Sequence, residues 1–309
     1  MPSADDSVPV TPAEYAGRVT PEQLRTVLAE AVAETTRCAQ QPEGAVLRRA
    51  DARTPGHWHS TIALRAAAQS GGDPCEVSDR IAEAVRTHPD IAAVTVTGPG
   101  FLGIEVRAAA LIAAVTALIA EPEPGSGPEP SSGPGRSAAP GPGGVPELNG
   151  AESVPAVRAP NEGASTVWGV DAQLVRRAVD ANPAYLLMRT HAHTRRLHRR
   201  AVAAGLPAAA PDAAAEQLDA VDRSLLVHII GTPATADRAV TAGDLRPLVV
   251  ALDELSRAYL AWTGDHEIVP TIDHDITGLH AARLRLVDGV TTVLARGLRL
   301  LGAPAPERM

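Results

Sequence analysis

The stretch that most limits what this chain can fold into lies near its middle, at residues 121–164. Its 44 residues include 10 Pro and 9 Gly, and its apolar residues follow neither a helical nor a strand period. Such a composition buries too little apolar surface to offset the entropy lost when the backbone is ordered. We therefore predict a disordered or semi-extended linker between an N-terminal domain, residues 1–120, and a C-terminal domain, residues 165–309.

A helix is predicted at the end of the C-terminal domain. Apolar residues recur there at steps of three, four or seven, which places them on one helical face: Leu279, Leu286, Val290, Val293, Gly297 and Leu300. The other face carries arginines: Arg283, Arg285, Arg296 and Arg299. Gly302 and then Pro304 are typical of a helix end. The pattern favours an all-α C-terminal helical bundle.

The N-terminal domain reads as α+β, with helices on a small antiparallel sheet. Ser60 is a good N-cap for a helix to about residue 69, and Asp73 or Pro74 opens a second helix to about residue 87. Ile91–Thr97 alternates like a half-buried strand, and Leu102–Val106 returns as its partner. Pro99 and Gly100 supply the turn between these strands.

Three features of the C-terminal half carry a family resemblance. They are the segment Asn182-Pro183-Ala184-Tyr185, the run from Leu248 to Trp262, and an ending that reads Leu301-Gly302 and then Glu307-Arg308-Met309. Together they resemble the C-terminal helical anticodon-binding domain of arginyl-tRNA synthetases, over roughly residues 180–309. The resemblance implies a helical bundle and tRNA as a partner.

Residues 56–106 look like the N-terminal additional domain of the same synthetases. The matching positions are Gly56, Ser60, Ala63, the Asp73-Pro74 turn and the link Gly98-Pro99-Gly100-Phe101. In that family this domain meets the D-loop of the tRNA near the link, which makes Phe101 a candidate RNA contact. Synthetases typically carry Asn two residues after this Phe, where the present chain has Gly103.

The catalytic domain that separates these two modules in a synthetase has no counterpart in the sequence. Residues 121–164 stand in its place, and the chain has neither a His-x-Gly-His motif nor a glycine-rich phosphate loop. All 28 basic residues are Arg, so the Lys-rich loop that would stabilise transferring phosphates is missing too. We predict a protein that does not aminoacylate tRNA, with no catalytic residues and no cofactor.

The candidate RNA-binding residues lie mostly in the C-terminal domain. Five arginines crowd one predicted helix beside His191 and form a candidate phosphate-facing stripe: Arg189, Arg195, Arg196, Arg199 and Arg200. The alternative is that these arginines form a solvated helix face without a specific ligand. The resemblance adds Tyr185 and Trp262 as stacking rings and Arg283 as a further contact. Trp262 and Tyr259 also share heptad spacing with Leu248, Leu252 and Leu255, which instead favours core positions.

Other site types are not favoured. Residues two apart on a helix point about 200° away from each other, so His191 and His193 cannot share a metal ion. The acidic loop Asp265, Glu267, Asp273, His274 and Asp275 reads as solvated. Cys38 and Cys75 are isolated, which is typical of reduced thiols, and no apolar run is long enough to cross a membrane. We expect a cytoplasmic protein without metal or membrane contacts.

Three hypotheses follow for the function. The first is a catalytically inactive synthetase relative that binds tRNA or another structured RNA. The second is a protein-interaction or regulatory module of amino-acid metabolism on the same scaffold. The third is a subunit that supplies tRNA-binding domains in trans to a separate ligase chain. Fold-level analogy alone does not choose among them.

Overall fold

The computed structural model describes seven stretches of the chain. They are residues 19–36, 44–50, 55–122, 167–168, 177–207, 212–271 and 274–309. The predicted linker lies outside the described residues except for Glu121 and Pro122, and so do Cys38 and Asp273. We call residues 19–122 the N-terminal part and residues 177–309 the C-terminal part.

The described N-terminal part combines helices with one antiparallel sheet. Its helices are α1 (Pro21–Thr36), α2 (Ile62–Ser70), α3 (Pro74–Arg86) and α4 (Ala108–Ala120). Its strands are β1 (Leu47–Arg49), β2 (Trp58–Ser60), β3 (Ile91–Thr97) and β4 (Phe101–Val106), in the spatial order β1-β2-β4-β3. All neighbouring strands run antiparallel, which confirms the α+β prediction.

The local signals of this part act largely as predicted. The Asp73 carboxylate caps α3 by accepting hydrogen bonds from the backbone N–H of Cys75 at 2.8 Å and of Glu76 at 3.2 Å. Ser60 is not the N-cap of α2, because it ends β2 and Thr61 stands between it and the helix. Its hydroxyl still accepts a hydrogen bond from the N–H of Ile62 at 3.3 Å.

The described C-terminal part is all helical, as predicted. It contains α5 (Pro183–Ala203), a 3-10 helix (Asp212–Gln217), α6 (Ala220–Ala242), α7 (Arg246–Asp265) and α8 (Gly278–Leu300). None of the described helices is long and apolar enough to cross a membrane.

The predicted last helix is α8, and it ends as its sequence indicates. Gly302 adopts a left-handed φ of 69°, and its N–H donates to the Arg299 carbonyl at 3.0 Å. The next N–H, from Ala303, reaches back to the Leu298 carbonyl at 2.8 Å, which completes a Schellman end. One position of the predicted buried face is wrong, because Leu300 in the last turn is 45% exposed.

The two parts pack directly against each other. Helix α4 lies against α6 and α8, and the buried residues of both parts form one continuous apolar core. At two positions this contact requires glycine. A Cβ atom at Gly289 would lie 2.7 Å from Cγ1 of Val115, and one at Gly231 would lie 2.9 Å from Cη2 of Trp58. The sequence AAALIAAVTALIA of α4 is apolar on every face, the signal of a helix covered on more than one side.

Two arginines tie the parts together at their edges. Arg296 of α8 binds the C-terminal end of α4, where its guanidinium donates to the carbonyls of Leu118 at 2.9 Å and Glu121 at 2.8 Å. Arg49 of β1 binds Glu254 of α7 at 2.6 Å and Nδ1 of His228 in α6 at 2.9 Å. The relative placement of the two parts is therefore held by apolar packing and by charge-assisted hydrogen bonds.

Candidate nucleic-acid interface

The first turn of α5 presents the predicted stacking residue Tyr185. Pro183 starts the helix, where its missing N–H costs no hydrogen bond. The side-chain oxygen of Asn182 caps the helix by accepting the N–H of Ala184 at 3.0 Å. The amide nitrogen of Asn182, which is buried, donates to the Arg177 carbonyl at 2.8 Å. These contacts fix the start of α5 and leave Tyr185 partly exposed.

Three arginines of the predicted phosphate-facing stripe are paired with carboxylates. Arg189 lies 3.1 Å from the carboxylate of Asp180. Arg195 and Arg199 share the carboxylate of Glu307, at 2.8 and 3.6 Å. These pairs are largely exposed, so each contributes little to stability and can exchange its carboxylate for a phosphate at small cost. In this arrangement, however, three of the five charges are partly neutralised.

Among the described residues, the remaining two arginines of the stripe are unpaired, and one of them borders an open cavity. Arg196 and Arg200 are exposed, and neither has a carboxylate within 4.0 Å in the part of the chain that the structure describes. Arg196 lines a cavity of about 700 Å³ together with His193, Leu260 of α7 and the tail residues 307–309. The volume and the surplus of guanidinium groups suit an anionic, ring-bearing ligand.

The tail after α8 is bound to α5 through His191. The Nδ1–H of His191 donates to the carbonyl of Pro306 at 2.8 Å, and the imidazole is only 4% exposed. Burial lowers the pKa of His191 below its ordinary value, more than the Pro306 carbonyl raises it. His191 thus lies inside the protein, and its contact with RNA stays a prediction that would need this ring to become accessible. Its ring positions the tail that forms one wall of the cavity.

A row of rings inside α7 includes the second predicted stacking residue. Tyr259 hydrogen-bonds His193 at 3.0 Å, and its ring centroid lies 6.0 Å from that of Trp262. Trp262 is 1% exposed, stacks on His266 and donates its indole N–H to Asp222 at 2.7 Å. A base cannot stack on this ring without opening the core, so Trp262 is a core residue, as the heptad alternative held. Burial raises the pKa of Tyr259 well above its usual range.

Arg283 is likewise committed inside the protein. Its guanidinium donates to both carboxylate oxygens of the fully buried Asp222, at 3.3 Å each, and lies 3.7 Å from Asp219. An RNA contact by Arg283 stays a prediction, and it would require this guanidinium to leave Asp222. Within the described residues, Asp219, Asp222 and His266 also have the spacing of metal ligands. Arg283 and the Trp262 indole bind the oxygens of Asp222, while His266 and two backbone N–H groups bind those of Asp219. The group is therefore an internal ion-pair network.

Phe101 stands at the exposed tip of the β3–β4 hairpin. Its side chain is 39% exposed, which is compatible with the predicted RNA contact. Gly100 adopts φ 136°, and a Cβ atom there would lie 2.9 Å from Leu64. A side chain at Gly103 would overlap the carbonyl of Pro55. The Asn that synthetases typically carry at this place would therefore not fit this backbone.

The acidic loop before α8 is locally satisfied. Glu267 accepts the N–H of Thr271 at 2.9 Å and pairs with His274 at 3.1 Å. These contacts hold the pKa of Glu267 below its ordinary value. Asp275 is exposed. The described part of the loop is thus consistent with the prediction that its acidic residues are solvated and do not form a site.

Comparison with known protein families assigns both parts of the chain. Residues 187–309 match the family described as DALR anticodon binding domain. Residues 22–106 match the arginyl tRNA synthetase N terminal domain. Helix α4 lies beyond the end of the second match. The chain therefore carries the two domains that its sequence resembles, with both resemblances confirmed.

Curated relatives are arginine–tRNA ligases. The protein of Clavibacter sepedonicus is 31% identical over 141 residues, which covers 45% of this chain and 25% of the relative. Those of Pseudarthrobacter chlorophenolicus and Frankia alni are 32% and 33% identical, and each match covers 45% of this chain and 26% of the relative. The matched part of the chain thus spans about a quarter of the length of these relatives.

Proposed function

We propose that this chain, which carries the N-terminal and anticodon-binding domains of the arginyl-tRNA synthetase family, binds tRNA or another structured RNA without aminoacylating it. The observation that carries the proposal is the DALR domain match over a helix, α5, whose residues Arg189, Arg196 and Arg199 line an open cavity. Because this RNA is a cytoplasmic molecule, we place the protein in the cytoplasm.

The RNA contacts follow from the side chains that α5 and the β3–β4 hairpin leave accessible. Arg196 and Arg200 supply cations for phosphates, and Tyr185 supplies a ring for a base. Phe101 offers a second ring on the other domain. Arg189, Arg195 and Arg199 add phosphate contacts if RNA displaces their carboxylate partners.

The proposal that the chain does not aminoacylate tRNA rests on missing sequence features and on the docking of α4. In the chain, no Lys is present, and no His-x-Gly-His motif occurs. A catalytic domain inserted between the two domains would hold α4 away from the helical domain. In this chain α4 instead packs directly on α6 and α8. We therefore expect no arginine-dependent pyrophosphate exchange from the purified chain. Exchange by this chain alone would contradict this half of the proposal.

The RNA-binding half is tested by the salt dependence of tRNA affinity. Arg196→Ala combined with Arg200→Ala should lower the slope of log affinity against log salt by about 1.4–1.8, since each phosphate contact contributes about 0.7–0.9. Tyr185→Ala should weaken binding by about 1–3 kcal/mol without changing that slope, because stacking is not a counterion effect. Fluorescence anisotropy with labelled tRNA measures both quantities.

A matched control removes the same charge elsewhere. Arg80 and Arg107 are exposed on the N-terminal part, away from α5, and their double replacement by Ala should leave the slope unchanged. If the α5 variants and this control behave alike, specific RNA binding by α5 is refuted, and the protein-interaction hypothesis takes its place. A gain of arginylation when the chain is added to a separate ligase would favour the trans-acting subunit.

A further inference from the structure

A second cleft exists only because the two parts of the chain pack together. It encloses about 300 Å³. The N-terminal part contributes α1, β1 and β2, and the C-terminal part contributes α6 and the first three turns of α7. Neither part alone has all the walls. This cleft is separate from the α5 cavity, with which it shares no lining residue.

Arginine dominates the charge of this cleft. Arg25, Arg48, Arg49 and Arg238 line it, against a single lining carboxylate, Glu254. This excess of positive charge occurs in a chain whose net charge is −8. The local potential is therefore opposite in sign to that of the whole molecule, the usual signature of a site for anions.

Two of these arginines are available to a ligand. Arg49 binds Glu254 at 2.6 Å, and Arg25 binds Glu22 of its own helix at 3.1 Å. Within the described stretches, Arg48 and Arg238 have no carboxylate within 4.0 Å. Both are exposed, one on each part of the chain. A ligand that reaches both guanidinium groups would bridge the two parts.

Two helices begin along the same cleft. Pro21 is the first residue of α1, and Pro247 lies in the first turn of α7. Side chains already bind N–H groups at both helix starts: the Asp244 carboxylate accepts the N–H of Arg246 at 3.1 Å, and the Thr20 hydroxyl accepts the N–H of Gln23 at 3.3 Å. The positive charge of the cleft therefore comes from its arginines and not from the helix ends.

We infer that this cleft binds a phosphate-bearing anion between Arg48 and Arg238. The planar fork of Arg matches phosphate oxygens in a bidentate manner. The phosphate comes either from a small polyphosphate or from the backbone of an RNA strand, since the chemistry recognised is the same. The inference does not depend on RNA binding at α5.

Isothermal titration of the full chain with inorganic tripolyphosphate tests the site. We expect binding, and we expect Arg48→Ala combined with Arg238→Ala to weaken it at least tenfold. The control variant Arg80→Ala with Arg107→Ala should leave the affinity within about twofold. The variant Arg196→Ala with Arg200→Ala reports separately on any anion that binds at α5. Equal thermal melting curves establish that all variants are folded.

The outcomes separate this site from the α5 cavity. No binding of tripolyphosphate, or an equal loss in the Arg80/Arg107 control, overturns the inference. A loss only in the Arg196/Arg200 variant also overturns it, because the anion would then sit at α5. If only the Arg48/Arg238 variant weakens binding, a competition experiment follows. Displacement of tripolyphosphate by a short oligouridylate then identifies the RNA backbone as the source of the phosphate that the cleft binds. Failure of the oligouridylate to displace it identifies a small polyphosphate.

Discussion

The contact between α4 and α8 can be tested by a double-mutant cycle across the two parts. Gly289 of α8 faces Val115 of α4 so closely that a Cβ atom would lie 2.7 Å from the Val115 Cγ1 atom, and 3.1 Å from Cγ2 of Ile229. Val115 is fully buried. A methyl group added at one position therefore needs the space that the other side chain fills.

The expected energies follow from these contacts. Val115→Ala deletes two buried methyl groups and should cost about 2 kcal/mol of unfolding free energy. Gly289→Ala gains about 1 kcal/mol of helix propensity, but its collision costs about 1–3 kcal/mol, for a net loss of about 1 kcal/mol. In the double variant the new methyl group fills the vacated space, so the total loss should be about 1 kcal/mol. The coupling is then about 2 kcal/mol in favour of the double variant.

Urea unfolding followed by circular dichroism measures the four free energies of the cycle. Gly264→Ala is the matched control, since a Cβ atom there meets nothing within 4 Å on an exposed part of α7. It should be neutral or stabilising by up to about 1 kcal/mol. If Gly289→Ala behaves like this control, or if the two replacements add within about 0.5 kcal/mol, α4 does not dock on α8 as described.

Three further predictions concern the linker, the buried charges and pH. Limited proteolysis should cut within residues 121–164, and the two fragments should still elute together in gel filtration because α4 packs on α6 and α8. Asp222→Asn should lower the unfolding free energy by about 3 kcal/mol in urea titrations, because Arg283 would keep a half-buried charge without its main partner. Burial, and secondly Arg49, lower the pKa of His228 to about 4, so the unfolded chain takes up this proton first and stability falls between about pH 6.5 and pH 4. His228→Gln should remove that part of the pH dependence of thermal melting.

Several regular elements could be predicted because their signals are local. The Asp73 cap and the period of α8 each fix an element within a few residues of sequence. Strand β3 also forms where predicted, although a register shift between Ile91 and Ala93 interrupts its alternation of buried and exposed residues. Ser60 shows the limit of such signals. Its hydroxyl accepts the N–H of Ile62, the first residue of α2, but it also donates to the carbonyl of Val46 at 2.8 Å, next to strand β1.

The candidate site could be predicted less well because partners distant in sequence decide it. Trp262 becomes a core residue through Asp222, 40 residues away, and Arg195 is paired by Glu307, 112 residues away. From the sequence, Trp262 was compatible both with an exposed stacking ring and with a core position. The docking of α4 had one local signal, its apolar sequence on all faces, but that signal does not identify which helices cover it.

The docking of the two parts changes what RNA binding by this chain would require. Phe101 lies in the N-terminal part and Tyr185 in helix α5 of the C-terminal part. A flexible tether between the two parts would leave the separation of these rings free. Here α4, Arg296 and Arg49 fix that separation before any RNA arrives. Binding of an RNA to both rings then costs no further entropy for ordering the domains, so this binding is stronger than with a flexible tether. The gain applies only to RNAs whose shape matches the fixed spacing of the rings. Replacements at Val115 or Gly289 that loosen the docking of α4 should therefore weaken RNA binding if Phe101 and Tyr185 form one composite surface. They should leave RNA affinity unchanged if the two surfaces act independently.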